Sequence, residues 1–233
     1  MIEVSLVIPC FNESRGLQAL HNRCLETVAK NKNLEILLVD NGSIDDSADV
    51  FAELANKTNE RIKFVRVELN QGYGFGILEG LRQASGNYIG WTHADLQTDP
   101  MDVFQAIAII AKAKKDVFIK GRRFGRPITD VIFTVGMSIY ETLLLKTPLW
   151  DINAQPNLFP KSFFHDWQNP PKDFSLDLFA YYMAKKKGLR ISRYPVRFGK
   201  RQFGVSSWNV DWKSKRKFID RTISFSRELA GRL

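Results

Sequence analysis

Four short stretches of the sequence gather carboxylates, carboxamides and glycines. They are Pro9-Cys10-Phe11-Asn12-Glu13, Val39-Asp40-Asn41-Gly42-Ser43, Asn70-Gln71-Gly72-Tyr73-Gly74-Phe75-Gly76 and Thr92-His93-Ala94-Asp95-Leu96-Gln97. Carboxylates and amides of this kind take hydrogen bonds from a nucleobase or a ribose, and glycines let backbone come close to a ligand. Each stretch follows an apolar run of strand length, so the four sets collect on one edge of a sheet.

The elements that must position them alternate. Strands are expected at Glu3 to Ile8, Leu34 to Asp40, Ile62 to Leu69, Tyr88 to Thr92, Asp116 to Gly121 and Leu189 to Arg197. Runs that are apolar on both faces, separated by helical patterns, belong in a parallel sheet covered on both sides. Leu17, Leu20, His21, Cys24, Leu25 and Val28 recur at helical spacing and define a first helix. A second begins near Asp46 and packs through Val50, Phe51, Leu54 and Ala55. A third runs from about Phe75 to Ala84 with Gly86 as its expected C-cap. Asp99-Pro100 is a helix start. Ser175 to about Lys187, followed by Gly188, is a further helix. The fold class is therefore α/β, an open, mostly parallel sheet flanked by helices, which binds ligands at the carboxyl ends of its strands.

Composition narrows the function classes. The chain has 233 residues, 44% of them hydrophobic and 25% charged, with no low-complexity stretch. That excludes a disordered, collagen-like or multi-span membrane protein. The N-terminus reads as a strand and not as an export signal. Cys10 and Cys24 are expected to be free, packed thiols of a reducing compartment. His21 is expected in the core, and His165 has no assignable partner. The apolar stretch Ile128 to Leu149 carries Asp130, Glu141 and Lys146, so it is expected to be a buried or interfacial helix and not a lipid-spanning one.

Charge is uneven. The net charge is +9, and from Lys185 to Leu233 fifteen basic residues face three acidic ones, a local net of +12. A near-neutral body of −3 carries this basic segment. From Asn209 to Leu229 the pattern is helical, with Trp212, Phe218, Ile219, Ile223, Phe225 and Leu229 on a broad apolar side and Lys213, Lys215, Arg216, Lys217 and Arg221 around it. Such a helix lies on an anionic bilayer or packs on the sheet with its charges in water. Nucleic acid is not an expected partner, because no helix-turn-helix, zinc-ligand or aromatic RNA-binding motif accompanies the charge.

Taken in order, P-x-F-N-E at 9–13, V-D-N-G-S at 39–43, N-x-G-x-G-x-G at 70–76 and the aspartate motif at 93–97 resemble glycosyltransferase family 2, with its nucleotide-diphospho-sugar fold called GT-A. The resemblance runs from about Ile2 to Trp208. The nearest subgroup contains dolichyl-phosphate mannose synthase and the bacterial polyprenyl-phosphate sugar transferases. The resemblance implies an inverting, metal-dependent transferase. Its donor is a nucleotide-diphospho-sugar and its acceptor a polyprenyl phosphate or a lipid-linked or surface glycan. It sets Pro9, Phe11, Glu13, Asp40, Asn70, Gly72, Gly76, His93 and Ala94 around the nucleotide-sugar. It gives Asp95 and Gln97 to a Mg²⁺ or Mn²⁺ ion on the diphosphate. Arg122, Arg123 and Arg201 are expected on the diphosphate, the last within a closing segment from Arg201 to Trp208.

Asp177 matches the acidic residue beside the acceptor, a general base for hydroxyl acceptors, with Asp173 as the rival position. Two departures stand out. His93 replaces the first aspartate of D-A-D-L-Q, where an imidazole ligates Mn²⁺ or orients a ribose hydroxyl. In the degenerate motif from Asp151 to Asn157, Asn157 stands where lipid-phosphate synthases often have Arg. The expected organisation is a transferase domain over 1–208 and a basic helix over 209–233 in the same unit. It would sit in the cytoplasm on the inner membrane face, with a two-fold dimer as the default assembly. The alternative is a non-catalytic membrane- or nucleic-acid-binding module on a GT-A-like scaffold. An NAD-linked oxidoreductase is excluded, because it needs G-x-G-x-x-G directly after the first strand.

Overall fold

The computed structural model describes residues 2–203 and 212–231. Residues 204–208 of the expected closing segment, the boundary at 208/209 and the first residues of the expected C-terminal helix lie outside them. Among the described residues seven strands form one sheet: β1 (Val4–Cys10), β2 (Leu34–Asn41), β3 (Ile62–Val67), β4 (Tyr88–Trp91), β5 (Val117–Phe124), β6 (Asn157–Pro160) and β7 (Arg190–Arg197). Their spatial order is β3-β2-β1-β4-β6-β5-β7. All pairings are parallel except those of β6, which runs antiparallel to both β4 and β5.

The sheet is covered on both faces. Alternate strand residues such as Val7, Leu37, Val39, Trp91, Phe118 and Phe159 pack under α3 (Tyr73–Gln83) and α7 (Leu176–Lys186). Their neighbours Leu6, Ile8, Ile36, Leu38 and Ile119 pack under α1 (Ser14–Ala29), α2 (Ser47–Ala55) and α4 (Val103–Lys112). This period-2 division is why the strand runs read as apolar throughout: every residue of β2 is buried. Cys10 and Cys24 are free and buried, and His21 is buried with its Nε2 3.0 Å from Thr58 Oγ1. Asp99 caps the turn Pro100–Asp102 that leads into α4, accepting from Met101 N at 2.9 Å.

One expectation is corrected, one strand is added, and one open alternative is narrowed. Gly86 does not cap α3, whose cap is the extended Ala84. Gly86 instead lies against β1, where its N–H donates to Ser5 Oγ at 2.8 Å and a Cβ would crowd Ser5. β6 was not foreseen, because four residues between the breakers Pro156 and Pro160 carry no periodic signal. For α5 (Ile128–Leu144) the expectation left a buried and an interfacial helix open, and the helix is not buried along one side. Ile128, Ile132, Ile139 and Leu143, spaced along one stripe, are 53–73% exposed, whereas Ser138 and Glu141 are its buried residues. Leaving four large aliphatic side chains in water forgoes roughly 1 kcal/mol or more each. The helix is turned with its polar residues inward.

α5 packs against α8 (Trp212–Gly231), and Ser226 of α8 donates to Glu141 Oε1 at 2.8 Å. Of the apolar side expected for α8, Leu229 is buried and Phe225 packs on the core of the α3/α7 face. The remaining short helix, α6 (Lys161–His165), follows β6 directly and buries Phe163.

Candidate active site

The carboxyl ends of β1, β2 and β4 and the loop after β3 meet at one edge of the sheet, as the motif order predicts. The first two loops are tied together by side chain to backbone bonds. Asn12 N donates to Ser43 Oγ at 3.0 Å, Ile44 N to Asn12 Oδ1 at 3.0 Å, and Glu13 N to Ser47 Oγ at 3.1 Å. Asn12 itself has φ 55°, a left-handed turn that asparagine tolerates. Asp40 is buried at the end of β2 and accepts from Ser43 N at 3.0 Å, which folds that loop back on itself. Pro9 is inside β1, paired with Val39, and Phe11 is exposed at the rim.

The glycine loop has a steric reason for its composition. Asn70 Oδ1 accepts from Gly72 N at 2.8 Å, and Asn41 Nδ2 donates to Gly72 O at 2.9 Å. Gly72 has φ 119°, and a Cβ there would overlap Lys172 O. At Gly76 a Cβ would stand 2.6 Å from Asn41 Cγ, so the side chain that holds the loop needs this position bare.

Asp95 and its neighbours form the centre. Asp95 Oδ1 accepts from Gln97 N at 3.1 Å, and its Oδ2 lies 3.6 Å from Arg201 Nη1. Arg201 also makes an ion pair with Glu13, so one guanidinium spans the carboxylates of the first and fourth strand ends. Burial raises the Glu13 carboxyl above its ordinary value, and Arg201 limits the rise. Gln97 Nε2 donates to Gly199 O at 3.0 Å, and Gly199 N donates to Gln97 O at 2.7 Å, which clips the segment before Arg201 onto the Asp95 loop. Ala94 packs partly buried against the core of the α1/α4 face.

His93 links this centre to a second one. Burial lowers its imidazole below the usual value, while Asp95 and Asp177 attract its proton. Its ring lies 6.3 Å from that of Tyr73, which stacks on Phe174 at 4.5 Å and accepts a hydrogen bond from Gln155. Asp177, in the first turn of α7, is buried and accepts from Asn157 Nδ2 at 2.7 Å. Asn157 Oδ1 accepts from Lys120 Nζ at 2.8 Å, and Lys120 also donates to Ala154 O at 2.7 Å. Burial pushes the Asp177 carboxyl up, held back first by Lys120 and then by His93 and Asn157. Burial likewise brings the Lys120 amine down to about 7. Asp173 caps the turn before α7, accepting from Ser175 N at 2.9 Å.

Arg122 and Arg123 lie within the carboxyl end of β5. Arg123 is clasped by Asp151, with Nη2 2.5 Å from Oδ1 and its backbone N–H 3.1 Å from Oδ2, and Arg126 Nη2 is 3.6 Å from the same Oδ1. Burial opposes the charge of Asp151, but Arg123 and Arg126 hold its carboxyl below the usual range. Arg122 lines a separate open cavity with Trp150, Tyr181, Lys185 and Arg193. Glu13, Asp95, Gln97 and Arg201 are thus brought together, with His93 and Asp177 beside them; Arg123, clasped by Asp151, is close enough to press the His93 imidazole down further, and Arg122 lines the open cavity. Sequence reading missed Lys120, Tyr73 and Gln155. The one signal was Lys120 itself, a lone cation inside the buried run Val-Phe-Ile-Lys-Gly.

Among the described residues no three His, Cys, Asp or Glu side chains cluster as a metal-ligand set. Asp95 offers one carboxylate, and Gln97, whose amide nitrogen is spent on Gly199, keeps its amide oxygen for a hard cation. A divalent ion fits here only if a ligand's own oxygens complete its shell.

Known proteins place these features. Over 221 residues the chain is 27% identical to the undecaprenyl-phosphate 4-deoxy-4-formamido-L-arabinose transferase of Edwardsiella ictaluri, covering 89% of this chain and 63% of that one. The enzyme of that name from Yersinia pestis is 38% identical over 155 residues, 65% of this chain and 42% of its own. The chain therefore spans about two-fifths to three-fifths of the length of these relatives. Among solved structures, glucosyl-3-phosphoglycerate synthase from Mycobacterium tuberculosis, in complex with UDP, superposes with a TM-score of 0.74 at 15% identity, over 99% of this chain and 80% of that one. A mannosyltransferase from Pyrobaculum calidifontis, in complex with GDP-Man and Mn²⁺, gives 0.61 at 19% identity, over 87% and 58%. These superpositions establish the GT-A fold. The family model described as glycosyl transferase family 2 matches residues 5–164, from β1 into α6, across every strand end that carries the acidic centre, and the chain belongs to that family.

Proposed function

We propose that the chain transfers a sugar from a nucleotide-diphospho-sugar to a polyprenyl-phosphate acceptor, with inversion, at the cytoplasmic face of a membrane. The observation that carries this reading is the pairing of two acidic centres across one strand end. Asp95 and Glu13 stand on the side of the nucleotide loops, and Asp177 stands on the side of α7, with His93 between them. A donor's diphosphate belongs with the first group and an attacking acceptor with the second.

Glu13, Asp40, Asn70 and the glycine loop suit a nucleoside, through carboxylate and amide acceptors and close backbone approach. Asp95 and the Gln97 amide oxygen would hold Mg²⁺ or Mn²⁺ together with diphosphate oxygens. When bound, that ion supplies positive charge to the departing nucleotide. Arg201 already bridges Glu13 and Asp95 and is placed to shift one contact to a phosphate. The names of the undecaprenyl-phosphate relatives support a lipid-phosphate acceptor. Lys120 supports it too, since its amine lies directly behind Asn157 and adds a donor beside Arg123 and Arg193. A phosphate acceptor is already an anion and needs no strong base, so Asp177 then orients Asn157 and the acceptor. A hydroxyl acceptor on a lipid-linked glycan is the second reading, favoured by the raised Asp177 carboxyl, which suits a general base.

The test is calorimetric titration with UDP, GDP, CDP and dTDP, each with and without Mn²⁺, on the protein and on Asp95→Asn. Binding of one nucleotide that Mn²⁺ strengthens and the substitution weakens is expected. No binding under any condition overturns the transferase reading and favours the non-catalytic module.

A further inference from the structure

We infer that the outward stripe of α5 is a bilayer-docking surface, inserted into the acyl boundary of an anionic leaflet. Ile128, Ile132, Ile139 and Leu143 follow one another at helical spacing along the exposed side. At Gly136, which interrupts them, an added Cβ would meet nothing within 4 Å. The stripe carries no charged side chain: Asp130 is exposed in the first turn but lies off the 128/132/139/143 row, and Glu141 is turned inward onto Ser226. A soluble surface helix has the opposite arrangement, with its apolar side on the core. Exposed apolar patches of this extent mark an interaction site.

The charges around the stripe select the occupant. At its C-terminal end Lys146 is exposed, and Arg122, Lys185 and Arg193 line an open cavity of about 660 Å³ beside Trp150 and Tyr181. Arg193 is fixed there by donating to the carbonyls of Gly121, Trp150 and Asp151. On the neighbouring α8, Arg216, Arg221 and Arg227 are exposed. An apolar stripe bordered by cations matches acyl chains bordered by anionic head groups. A second copy does not match, since it would bring another chain of net charge +9 and the same cations to the same rim. No helix of the described residues is long and apolar enough to cross a membrane, so α5 lies in the interface plane. This deepens the lipid-linked acceptor reading by moving the inserted element from α8 to α5. Vesicle binding needs neither donor nor acceptor, so the two readings fail separately.

The test places an environment-sensitive fluorophore at Ile139→Cys and, as a control, at the exposed Glu53→Cys on α2. The native thiols are buried and stay unlabelled. With vesicles of phosphatidylcholine and phosphatidylglycerol, emission at position 139 is expected to shift to the blue and to be quenched by brominated acyl chains, with no change at 53. Ile132→Glu/Ile139→Glu is expected to lose roughly tenfold or more in vesicle partitioning, with nucleotide titration and circular dichroism unchanged. An unchanged position 139 in vesicle-bound protein overturns the inference. So does a blue shift without vesicles that grows with protein concentration, which would make the stripe a contact between copies.

Discussion

Asn157 donates its side-chain N–H to Asp177 at 2.7 Å while its side-chain carbonyl oxygen accepts a hydrogen bond from Lys120 Nζ at 2.8 Å. The amide fixes the distance between a buried cation and a buried carboxyl that do not touch. Lys120→Met removes that cation, so the Asp177 carboxyl rises further. If Asp177 works ionised, the acid limb of the pH–rate profile moves to higher pH, and kcat falls by about tenfold or more at pH 7 with donor KM nearly unchanged. Initial rates between pH 5.5 and 9 read both effects.

Asp177→Asn separates the two acceptors. With a hydroxyl acceptor the loss of a general base costs about 10²–10⁴ in kcat. With a phosphate acceptor the loss is expected to stay near tenfold, because the attacking oxygen is already charged. Single-turnover transfer to polyprenyl phosphate and to a lipid-linked glycan gives the comparison.

Arg201→Ala breaks the bridge between Glu13 and Asp95. Both carboxylates are largely buried, so losing their shared cation is expected to cost about 1–3 kcal/mol of folding stability. Nucleotide-diphosphate affinity is expected to fall about tenfold, as for the loss of one charge-assisted phosphate contact. Thermal melting alongside calorimetry distinguishes the two.

Gly76→Ala forces a methyl group into Asn41, which holds the Gly72 carbonyl. A cost of about 1–3 kcal/mol is expected from overpacking, with weaker nucleotide binding as the loop shifts. Urea unfolding measures the first and titration the second.

Glu141 gives a pH signature of the α5–α8 contact. Burial raises its carboxyl to about 7, above its unfolded value of 4.5. Between those values the unfolded chain has released a proton that the folded chain keeps, so stability declines as pH rises through this window. Glu141→Gln is expected to be more stable than the parent at pH 8, by about 1–3 kcal/mol, and equal to it near pH 4. Denaturant curves at both pH values test the sign.

The strands, the four ligand-edge motifs and the family were legible because each rests on a local pattern: a continuous apolar run, or a short polar string where it stops. β6 was not, since Asn157–Pro160 is too short for any period and its direction is set by tertiary pairing. The network of Lys120, Asn157 and Asp177 joins residues from three elements far apart in the chain, which spacing cannot reveal. For α5, apolar content identified the helix, but content does not say which way a stripe points. That depended on Glu141 finding a hydroxyl on α8.

The reversed direction of β6 has a topological consequence. A helix between parallel strands carries the chain from one edge of the sheet to the other. α5 instead leaves the ligand edge at Phe124 and its return loop re-enters at that edge with Asn157, opposite Trp91. The whole excursion is an outgrowth of the reacting rim, closed at its neck by the Arg123–Asp151 clasp. On the proposed reading a lipid acceptor arriving along α5 would need no path across the protein, because the strand at that rim also presents the amide that touches Asp177.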